Sequence, residues 1–335
     1  MANLFETNAG SSLAVRGGLV LPCALANYGG SAAQMSAARP EVLQHHESVL
    51  VAETLAALHL RENLLVVDAT AGQGGHAEAI LKAAAVRLIA FDADPDAVRF
   101  TRERLAPFGN RAEVVEANFR NLAEELAKKG VGRIDRAVFD FGWNRTQLAG
   151  NRGFSFQTDA PLNMSYGREP ASGFTAGEIV NTWSEETLGN VLFGYGNERY
   201  ARRIARLIVE HRRQHAIEST SALVELVERA VPAAYRRGRL HVATKTFQAL
   251  RMAVNDELGS IERGIRDAWQ MLAPGGRIAA ITFHSVEDGL VKSLFAACAR
   301  EGGELVTKKL VVPSREEISR NSAARSAKLR AIIKH

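Results

Sequence analysis

The sequence predicts an α/β fold in which a parallel sheet is flanked by helices and interrupted by an inserted helical subdomain. From residue 49 onward, short apolar runs alternate with amphipathic helical patterns, as in parallel sheets. The first of these runs passes directly into a glycine-rich turn and then a helix. More than 130 residues of helical periodicity separate the strand ending at 141 from the next obvious strand at 277, which is too long for a simple crossover.

The sheet can be assigned strand by strand. Strands are expected at 64–68, 87–92, 112–116 and 134–141, with helices at about 76–84, 95–105 and 120–129. A later strand is expected at 277–283, after a turn at 272–276 that predicts the end of a helix running from 243 to 272. We therefore place the sheet domain at 46–149 and 241–335, the inserted subdomain, expected to recognise the substrate, at 150–240, and a weakly ordered extension at 1–45.

The glycine-rich turn is the most informative motif. Gly72, Gly74 and Gly75 allow backbone amides to approach a ligand closely, and the next helix directs its positive end toward the same place. The second strand ends in Asp92, about 20 residues after the turn, where a carboxylate can accept the hydroxyl groups of a ribose. The spacing departs from the dinucleotide pattern, but the combination predicts a site for an adenosine-containing cofactor.

Composition excludes several classes of protein. With 46% hydrophobic residues, the 335-residue chain has ample apolar content for a core, and its length leaves room for about two domains. No apolar stretch reaches the roughly 18 to 20 residues that span a bilayer, so no membrane association is expected. Cys23 and Cys298 lack neighbours of the metal-binding type, which predicts no metal site and a reducing, cytoplasmic location. A transit peptide within 1–45, and hence an organelle, is the alternative.

Positive charge is unevenly distributed, although the net charge is only +5. Residues 308–335 contain eight Lys and Arg against two Glu, which favours an anionic partner such as nucleic acid. A second basic face recurs at helical spacing in the predicted insertion: Arg199, Arg202, Arg203, Arg206, Glu210 and Arg213. These patterns suit phosphate contacts. A solvated tail and a solvated outer helix face are the alternatives.

The fourth strand ends in Asp140-Phe-Gly-Trp143, at the sheet edge where open α/β folds bind ligands. An acid, two spacers and an aromatic residue is the spacing found in enzymes that methylate exocyclic amines of bases. Asp140 could hold the amine hydrogens and turn the lone pair toward an electrophile, while Trp143 stacks on the base. The alternative is an acid that caps a turn and a Trp in the core.

Two later segments carry further polar candidates. Residues 283–288 place His284 and Ser285 at the same edge, but no nucleophile elbow surrounds the serine. We expect His284 to orient the substrate, with helix capping by Ser285 as the alternative. On the preceding helix, Gln248, Arg251 and Asn255 form a polar stripe that could face the cleft.

Taken in order, these segments resemble the MraW family, also called RsmH. The resemblance covers residues 46–330 and is carried by DATAGQGGH, AFDADPDAV, VFDFGW, YGNERYARRIA, HVATKTFQALRMAVNDEL and ITFHSVED, among other segments. It implies a Rossmann-like class I methyltransferase fold that uses S-adenosylmethionine. It also implies methylation of the N4 amine of a cytosine in the decoding centre of 16S ribosomal RNA.

The resemblance further implies which residues form the cofactor pocket. Gly74, Gly75 and His76 would contact the amino-acid end of S-adenosylmethionine, and Asp92 would bind its ribose. The adenine and the rest of the pocket would be contacted by Phe119, Asp140 and Gln147.

Departures from the family are concentrated on the substrate side. Where the family reads D-L-G-V-S-S-P-Q-L-D, residues 140–149 read D-F-G-W-N-R-T-Q-L-A, so Trp143 replaces a Val and its stacking role is not implied by the family. Where the family reads P-L-D-M-R-M, residues 161–166 read P-L-N-M-S-Y, and S-L-E-D-R becomes S-V-E-D-G at 285–289. Cofactor positions match, whereas substrate-side positions differ.

We therefore expect a cytosine-N4 methyltransferase whose partner is small-subunit ribosomal RNA or the assembling small subunit. The oligomeric state is left open, with a homodimer as one option. The alternative is an RNA-binding ribosome-assembly protein of the same fold that transfers no methyl group. The missing Arg residues after Met164 and Asp288 favour that alternative, and the retained Asp140 opposes it. A nicotinamide dehydrogenase is disfavoured by the glycine spacing.

Overall fold

The structure is a computed structural model that describes residues 47–142, 147, 151–238, 240–307 and 309–335. The expected extension 1–45 and Trp143 lie outside the described residues. The strands are β1 (Leu65–Asp68), β2 (Arg87–Asp92), β3 (Ala112–Glu116), β4 (Ile134–Asp140), β5 (Leu272–Thr282), β6 (Gly303–Leu305) and β7 (Lys328–Lys334). Within the described part of the chain they form one sheet in the order β3-β2-β1-β4-β5-β7-β6.

Helices connect the first strands and form a cluster between β4 and β5. They are α1 (Val51–Leu58), α2 (Gly75–Ala83), α3 (Pro95–Leu105), α4 (Leu122–Lys128), α5 (Ala176–Thr182), α6 (Glu185–Gly194), α7 (Ala201–His211), α8 (Thr220–Ala230), α9 (Ala233–Arg236), α10 (Thr244–Val254), α11 (Glu257–Met271), α12 (Ser285–Arg300) and α13 (Arg315–Arg320). None of them is long and apolar enough to cross a membrane.

Both faces of the sheet are covered. Val67 and Phe139 point into an apolar cluster with α4, α11 and α12, whereas their neighbours Val66 and Val138 point into a second cluster with α1 and α2. This alternation buries both sides of each central strand, which explains why the strands read as continuous apolar runs. The predicted α/β sheet is confirmed, and β2 and β3 have the expected bounds.

The seventh strand corrects the expectation of a purely parallel sheet. Strands β1 to β5 are parallel, but β7 lies antiparallel between β5 and β6. Leu329, Ala331 and Ile332 of β7 are buried. The segment expected to be a basic tail is therefore partly a sheet strand, because its apolar residues pair and pack while the intervening cations remain nearer the surface.

Two boundaries near β5 also differ from expectation. The turn at 272–276 does not precede the strand: β5 begins at Leu272, which pairs with Ile134, and resumes pairing at Arg277 opposite Arg136 after a bulge. The single helix expected at 243–272 is wrong. It is broken into α10 and α11 at Asp256, whose φ of 42° is left-handed and cannot continue an α-helix.

The helices between β4 and β5 have an apolar core of their own. Ile179, Leu192, Ile208 and Leu226 meet there, and Leu250 of α10 joins them. Because α10 begins after residue 240, this core extends past the expected end of the insertion. The division at 150–240 stays a prediction, and we propose that α10 is where the insertion joins the sheet domain.

Candidate active site

The carboxyl ends of β1, β2 and β4 bring three aspartates to one edge of the sheet. Asp68, Asp92 and Asp140 are the last residues of these strands. The parallel registers align the three ends, since Asp68 pairs with Ala90 of β2 and Val138 of β4. This edge is the ligand-binding edge of open α/β sheets. We therefore place the candidate active site here.

The glycine-rich turn closes this edge after β1. Gly74 has a φ of 77° and precedes the first residue of α2, a conformation that suits glycine. A Cβ on Gly75 would lie 2.1 Å from the Ser48 hydroxyl, so only glycine fits there without movement. From α3, Thr101 donates to the Gly72 carbonyl at 3.0 Å and Arg104 to the Gln73 carbonyl at 2.9 Å. The turn is thus held in place independently of any ligand.

Asp92 is tied to the same turn. Its carboxylate accepts the Gly72 amide at 2.7 Å and the Asp94 amide at 2.8 Å. Burial raises the pKa of Asp92 to about 7, and these two hydrogen bonds only partly oppose that rise. A carboxylate oxygen can accept more than one hydrogen bond, so Asp92 retains capacity for a ribose hydroxyl.

Asp68, His76 and Asp140 form a polar group beside the turn, in which Asp68 and His76 are buried and Asp140 is half-buried. His76 Nε2 lies 3.4 Å from Asp140 Oδ2. Among the described residues, Asp68 Oδ2, His76 Nε2 and Asp140 Oδ1 are buried without a hydrogen-bond partner. Such atoms are costly unless a ligand satisfies them. Two carboxylates suit an ammonium group and an imidazole suits a carboxylate, so the set fits the amino-acid end of S-adenosylmethionine.

Burial and mutual charge shift the pKa values in this group. Burial raises the pKa of Asp68 to about 6, although the nearby His76 opposes the rise. For His76, burial lowers the pKa, but interactions with Asp140 and Asp68 outweigh it and leave the pKa raised. Asp68 was not among the predicted site residues. The signal for it is an acid at the end of an otherwise apolar strand.

The other predicted cofactor residues lie in different surroundings. Phe119 begins a short 3-10 helix, and its ring is 5.8 Å from both Phe139 and Phe141. Phe139 and Phe141 are buried, whereas Phe119 is half-buried, so Phe119 is the ring of this cluster that an adenine could pack against. Gln147 is 4% exposed. Trp143 lies outside the described residues, so its role stays a prediction.

His284 caps α12. Its Nδ1 accepts the Glu287 amide at 3.4 Å, and the Glu287 carboxylate accepts the Phe283 and His284 amides. Helix capping by Ser285, the alternative to a substrate role at this edge, is wrong by one position because the helix begins at Ser285 itself. The role of His284 in orienting the substrate stays a prediction. His284 Nε2 lies 3.0 Å from Glu287 Oε1. Burial raises the pKa of Glu287, but His284 and Arg251 outweigh it and lower the pKa overall.

The polar stripe of α10 does not face open solvent. Arg251 donates to both oxygens of Glu257, at 2.7 and 3.0 Å, and both side chains are buried. Tyr166 also donates to Glu257, at 2.9 Å. Glu257, His284 and Glu287 are close enough together to share a cation, but Arg251 already supplies positive charge to this group.

The predicted basic face of α7 is exposed but partly engaged. Arg202 donates to Glu186 and Asn190, and Arg206 pairs with Glu185 at 3.4 Å. Arg199 lies over the rings of Tyr200 and Tyr235. Near the end of the chain, Arg320 pairs with Glu47, while Lys328 and Arg330 both pair with Asp288. These partners reduce the charge that is free to meet phosphates.

A protein family and several curated proteins match most of this chain. The profile of the MraW methylase family matches residues 43–335. "Ribosomal RNA small subunit methyltransferase H" of Symbiobacterium thermophilum is 44% identical over 309 residues, covering 87% of this chain and 96% of that protein. The protein of the same name from Carboxydothermus hydrogenoformans is 44% identical over 306 residues, covering 86% and 97%.

Solved structures align with this chain at much lower identity and with TM-scores below 0.5. A putative rRNA methylase of Clostridium thermocellum aligns with a TM-score of 0.42 and 11% identity, covering 87% of this chain and 100% of that one. A putative methyltransferase of Streptococcus mutans in complex with SAH aligns with a TM-score of 0.39 and 13% identity, covering 90% and 100%.

Proposed function

The chain belongs to the MraW methylase family, and on that premise we propose that it transfers a methyl group from S-adenosylmethionine to the N4 amine of a cytosine in small-subunit ribosomal RNA. The observation that carries the proposal is the half-buried Asp140, which lies beside the glycine-rich turn with its buried Oδ1 atom unpartnered. The names of the curated relatives support the RNA class. A cytoplasmic location would follow from this substrate.

Each residue of the site would have a separate role in binding or catalysis. Asp68 and His76 would hold the amino-acid end of S-adenosylmethionine, Asp92 its ribose, and Phe119 would pack beside the adenine. When bound, the cofactor supplies an electrophilic methyl group. Asp140 would accept a hydrogen of the exocyclic amine, turn the nitrogen lone pair out of conjugation, and receive the proton that the amine loses. Most of the rate then comes from positioning.

Mass spectrometry of ribosomal RNA nucleosides tests the proposal directly. Small subunits prepared without this protein should gain N4-methylcytosine when the protein and S-adenosylmethionine are added. If no such nucleoside forms at any stage of subunit assembly, while the protein still binds the RNA, the cytosine-N4 proposal fails. The ribosome-assembly alternative, which Ser165 and Gly289 favour by replacing Arg residues of the family, then explains the protein better.

Replacing Asp92 with Ala should weaken S-adenosylmethionine binding. The change removes one or two charge-assisted hydrogen bonds to the ribose, each worth roughly 1.5 to 3 kcal/mol. It also releases the Gly72 and Asp94 amides, which loosens the turn. Calorimetric titration measures the affinity. Asp96→Ala is the control, because Asp96 lies in the first turn of α3 and its side chain is 63% exposed. Equal affinities for the two variants, or preferential binding of NAD by the native protein, would contradict the assignment.

Cofactor affinity should depend on pH through Asp92. Its pKa of about 7 means that the carboxylate is mostly ionised at pH 8 and mostly protonated at pH 6. A ribose hydroxyl donates better to the ionised form, so affinity should fall about tenfold from pH 8 to pH 6. Titration with S-adenosylhomocysteine measures this without turnover. Asp92→Asn should flatten the profile in that range, and an equally steep profile in the variant would assign the effect to another group.

RNA affinity should fall steeply with salt if the basic face of α7 meets phosphates. Arg203 is exposed, and no ion pair to it is found within the described residues, whereas Arg206 already pairs with Glu185. Arg203→Ala should therefore lessen the slope of log affinity against log salt by about one unit or less, and Arg206→Ala by a smaller amount. Filter binding of 16S ribosomal RNA at several salt concentrations measures both slopes. A salt-independent affinity would mean that the face is only solvated.

A further inference from the structure

Residues 163–167, here called the linking segment, lie against the loop that follows Asp92. A Cβ on Gly167 would lie 3.2 Å from the carbonyl oxygen of Ala93, so backbone meets backbone at this point. Arg152 holds the segment there. Its guanidinium donates to Asp94 Oδ2 at 2.6 Å and to the Tyr166 carbonyl at 3.0 Å. The Arg152 carbonyl in turn accepts the Met164 amide at 2.7 Å.

The same segment is bonded on its other side to the junction of α10 and α11. The Asn255 side chain donates to the Met164 carbonyl and accepts the Tyr166 amide, both at 2.8 Å. The Tyr166 hydroxyl reaches Glu257 on α11. Since α10 belongs to the core of the inserted helices, the linking segment joins those helices to the loop that follows Asp92.

Backbone strain indicates that the segment is held in one arrangement. Met164 has a φ of 57°, although it is not glycine and its side chain is fully buried. Such a conformation persists only where surrounding contacts over-determine it, and it is common at functional sites. Here the contacts come from two sides, through Arg152 and Asn255. Losing the contacts of either Arg152 or Asn255 is therefore expected to alter the conformation of the linking segment.

The linking segment also contains departures from the family. Asn163, Ser165 and Tyr166 stand where the family has Asp, Arg and Met, which we interpreted as substrate-side positions. The linking segment thus lies next to the loop that follows Asp92, the proposed ribose-binding residue, and it carries residues that we interpreted as facing the substrate. Asp94 is the direct connection, because its amide donates to Asp92 and its buried carboxylate pairs with Arg152.

We propose that Arg152 is a positioning residue that couples the two ligands: occupancy of the cofactor pocket stabilises the linking segment through Asp94 and Arg152, and thereby strengthens RNA binding. The RNA half of this inference rests on the proposed function. Coupling between two sites is reciprocal, so RNA must strengthen cofactor binding by the same factor. Typical couplings of this kind are about 5- to 150-fold.

Hydrogen–deuterium exchange tests the coupling without any turnover. In the native protein, saturating S-adenosylhomocysteine should slow exchange in peptides covering both the turn at 72–75 and the linking segment. In Arg152→Lys, only the turn should be protected, because lysine keeps the positive charge but loses the guanidinium fork that reaches Asp94 and the Ser165 and Tyr166 carbonyls. Arg168→Lys is the matched control, since Arg168 follows the segment but pairs with Glu116 at the surface. It should behave like the native protein.

Binding measurements test the RNA half. S-adenosylhomocysteine should tighten binding of 16S ribosomal RNA at least fivefold in the native protein and in Arg168→Lys, but less than twofold in Arg152→Lys. Thermal unfolding verifies that Arg152→Lys is folded. The inference would be overturned if S-adenosylhomocysteine protected the linking segment in Arg152→Lys as strongly as in the native protein. It would also be overturned if S-adenosylhomocysteine raised the RNA affinity of both proteins by the same factor. Failure of the native protein to methylate RNA would instead overturn the proposed function, and the exchange result would still decide the role of Arg152.

Discussion

Asp140→Asn should lower methyl transfer by a factor of about 10² to 10⁴ at saturating cofactor, the range typical of a positioned acid or base. The substitution keeps the shape and one acceptor oxygen but removes the negative charge that would receive the amine proton. The end of β4 should be preserved, because its hydrogen bond to Thr70 comes from the backbone. The Asp140 amide donates to the Thr70 hydroxyl at 2.6 Å, and the substitution does not alter that amide. Single-turnover assays on small-subunit RNA measure the effect.

The conditions of this experiment separate chemistry from binding. Asp140 lies 3.4 Å from His76, so its replacement can also reduce cofactor affinity, and rates must be compared at saturation. Asp267→Asn is the control, since this half-buried carboxyl lies on α11 toward the opposite end of β5. If Asp140→Asn transfers methyl groups as fast as the native protein does, Asp140 is structural and the proposed holding of the amine is wrong.

Arg251→Met should lower the free energy of unfolding by about 3 to 5 kcal/mol, because it leaves the buried Glu257 carboxylate without its cation. The remaining donor, the Tyr166 hydroxyl, is neutral and cannot replace a bidentate guanidinium. Urea denaturation of the native and variant proteins measures the difference. This loss is large relative to the usual stability of a folded domain.

Two further variants make the measurement specific to the buried pair. Arg251→Met combined with Glu257→Gln should recover part of the stability, since no unpaired charge then remains. Arg266→Met, on α11, breaks a pair with Glu262 in which both side chains are more than half exposed, and should cost about 1 kcal/mol or less. A similar loss for Arg251→Met and Arg266→Met would show that burial of the pair contributes little.

The sequence was most informative where one local pattern determines the structure. Apolar runs ending in Asp92 and Asp140 predicted two of the three acids at the sheet edge, because parallel strands carry their last residues to a common edge. Asp68 was missed although it ends the strand just before the glycine turn. Its importance depends on burial beside His76, which arises from packing between elements and not from spacing along the chain.

Longer-range pairing explains the other differences. β7 was interpreted as part of a basic tail because its cations dominate the composition, whereas the pairing with β5 that makes it a strand joins residues about 50 positions apart. Arg251 and Asn255 were expected to face a cleft, but the break at Asp256 turns the chain so that Glu257 faces Arg251. The helical period alone cannot predict such a break.

The place of β7 in the sheet has a consequence for how the protein is made. β7 fills the gap between β5 and β6, although it follows both along the chain. During synthesis, β5 therefore has an unpaired edge until residues 328–334 have left the ribosome. Exposed strand edges are templates for wrong pairing with other chains. Completion of the sheet, and with it full burial of Ile281 and Ile332, must wait until β7 has emerged from the ribosome.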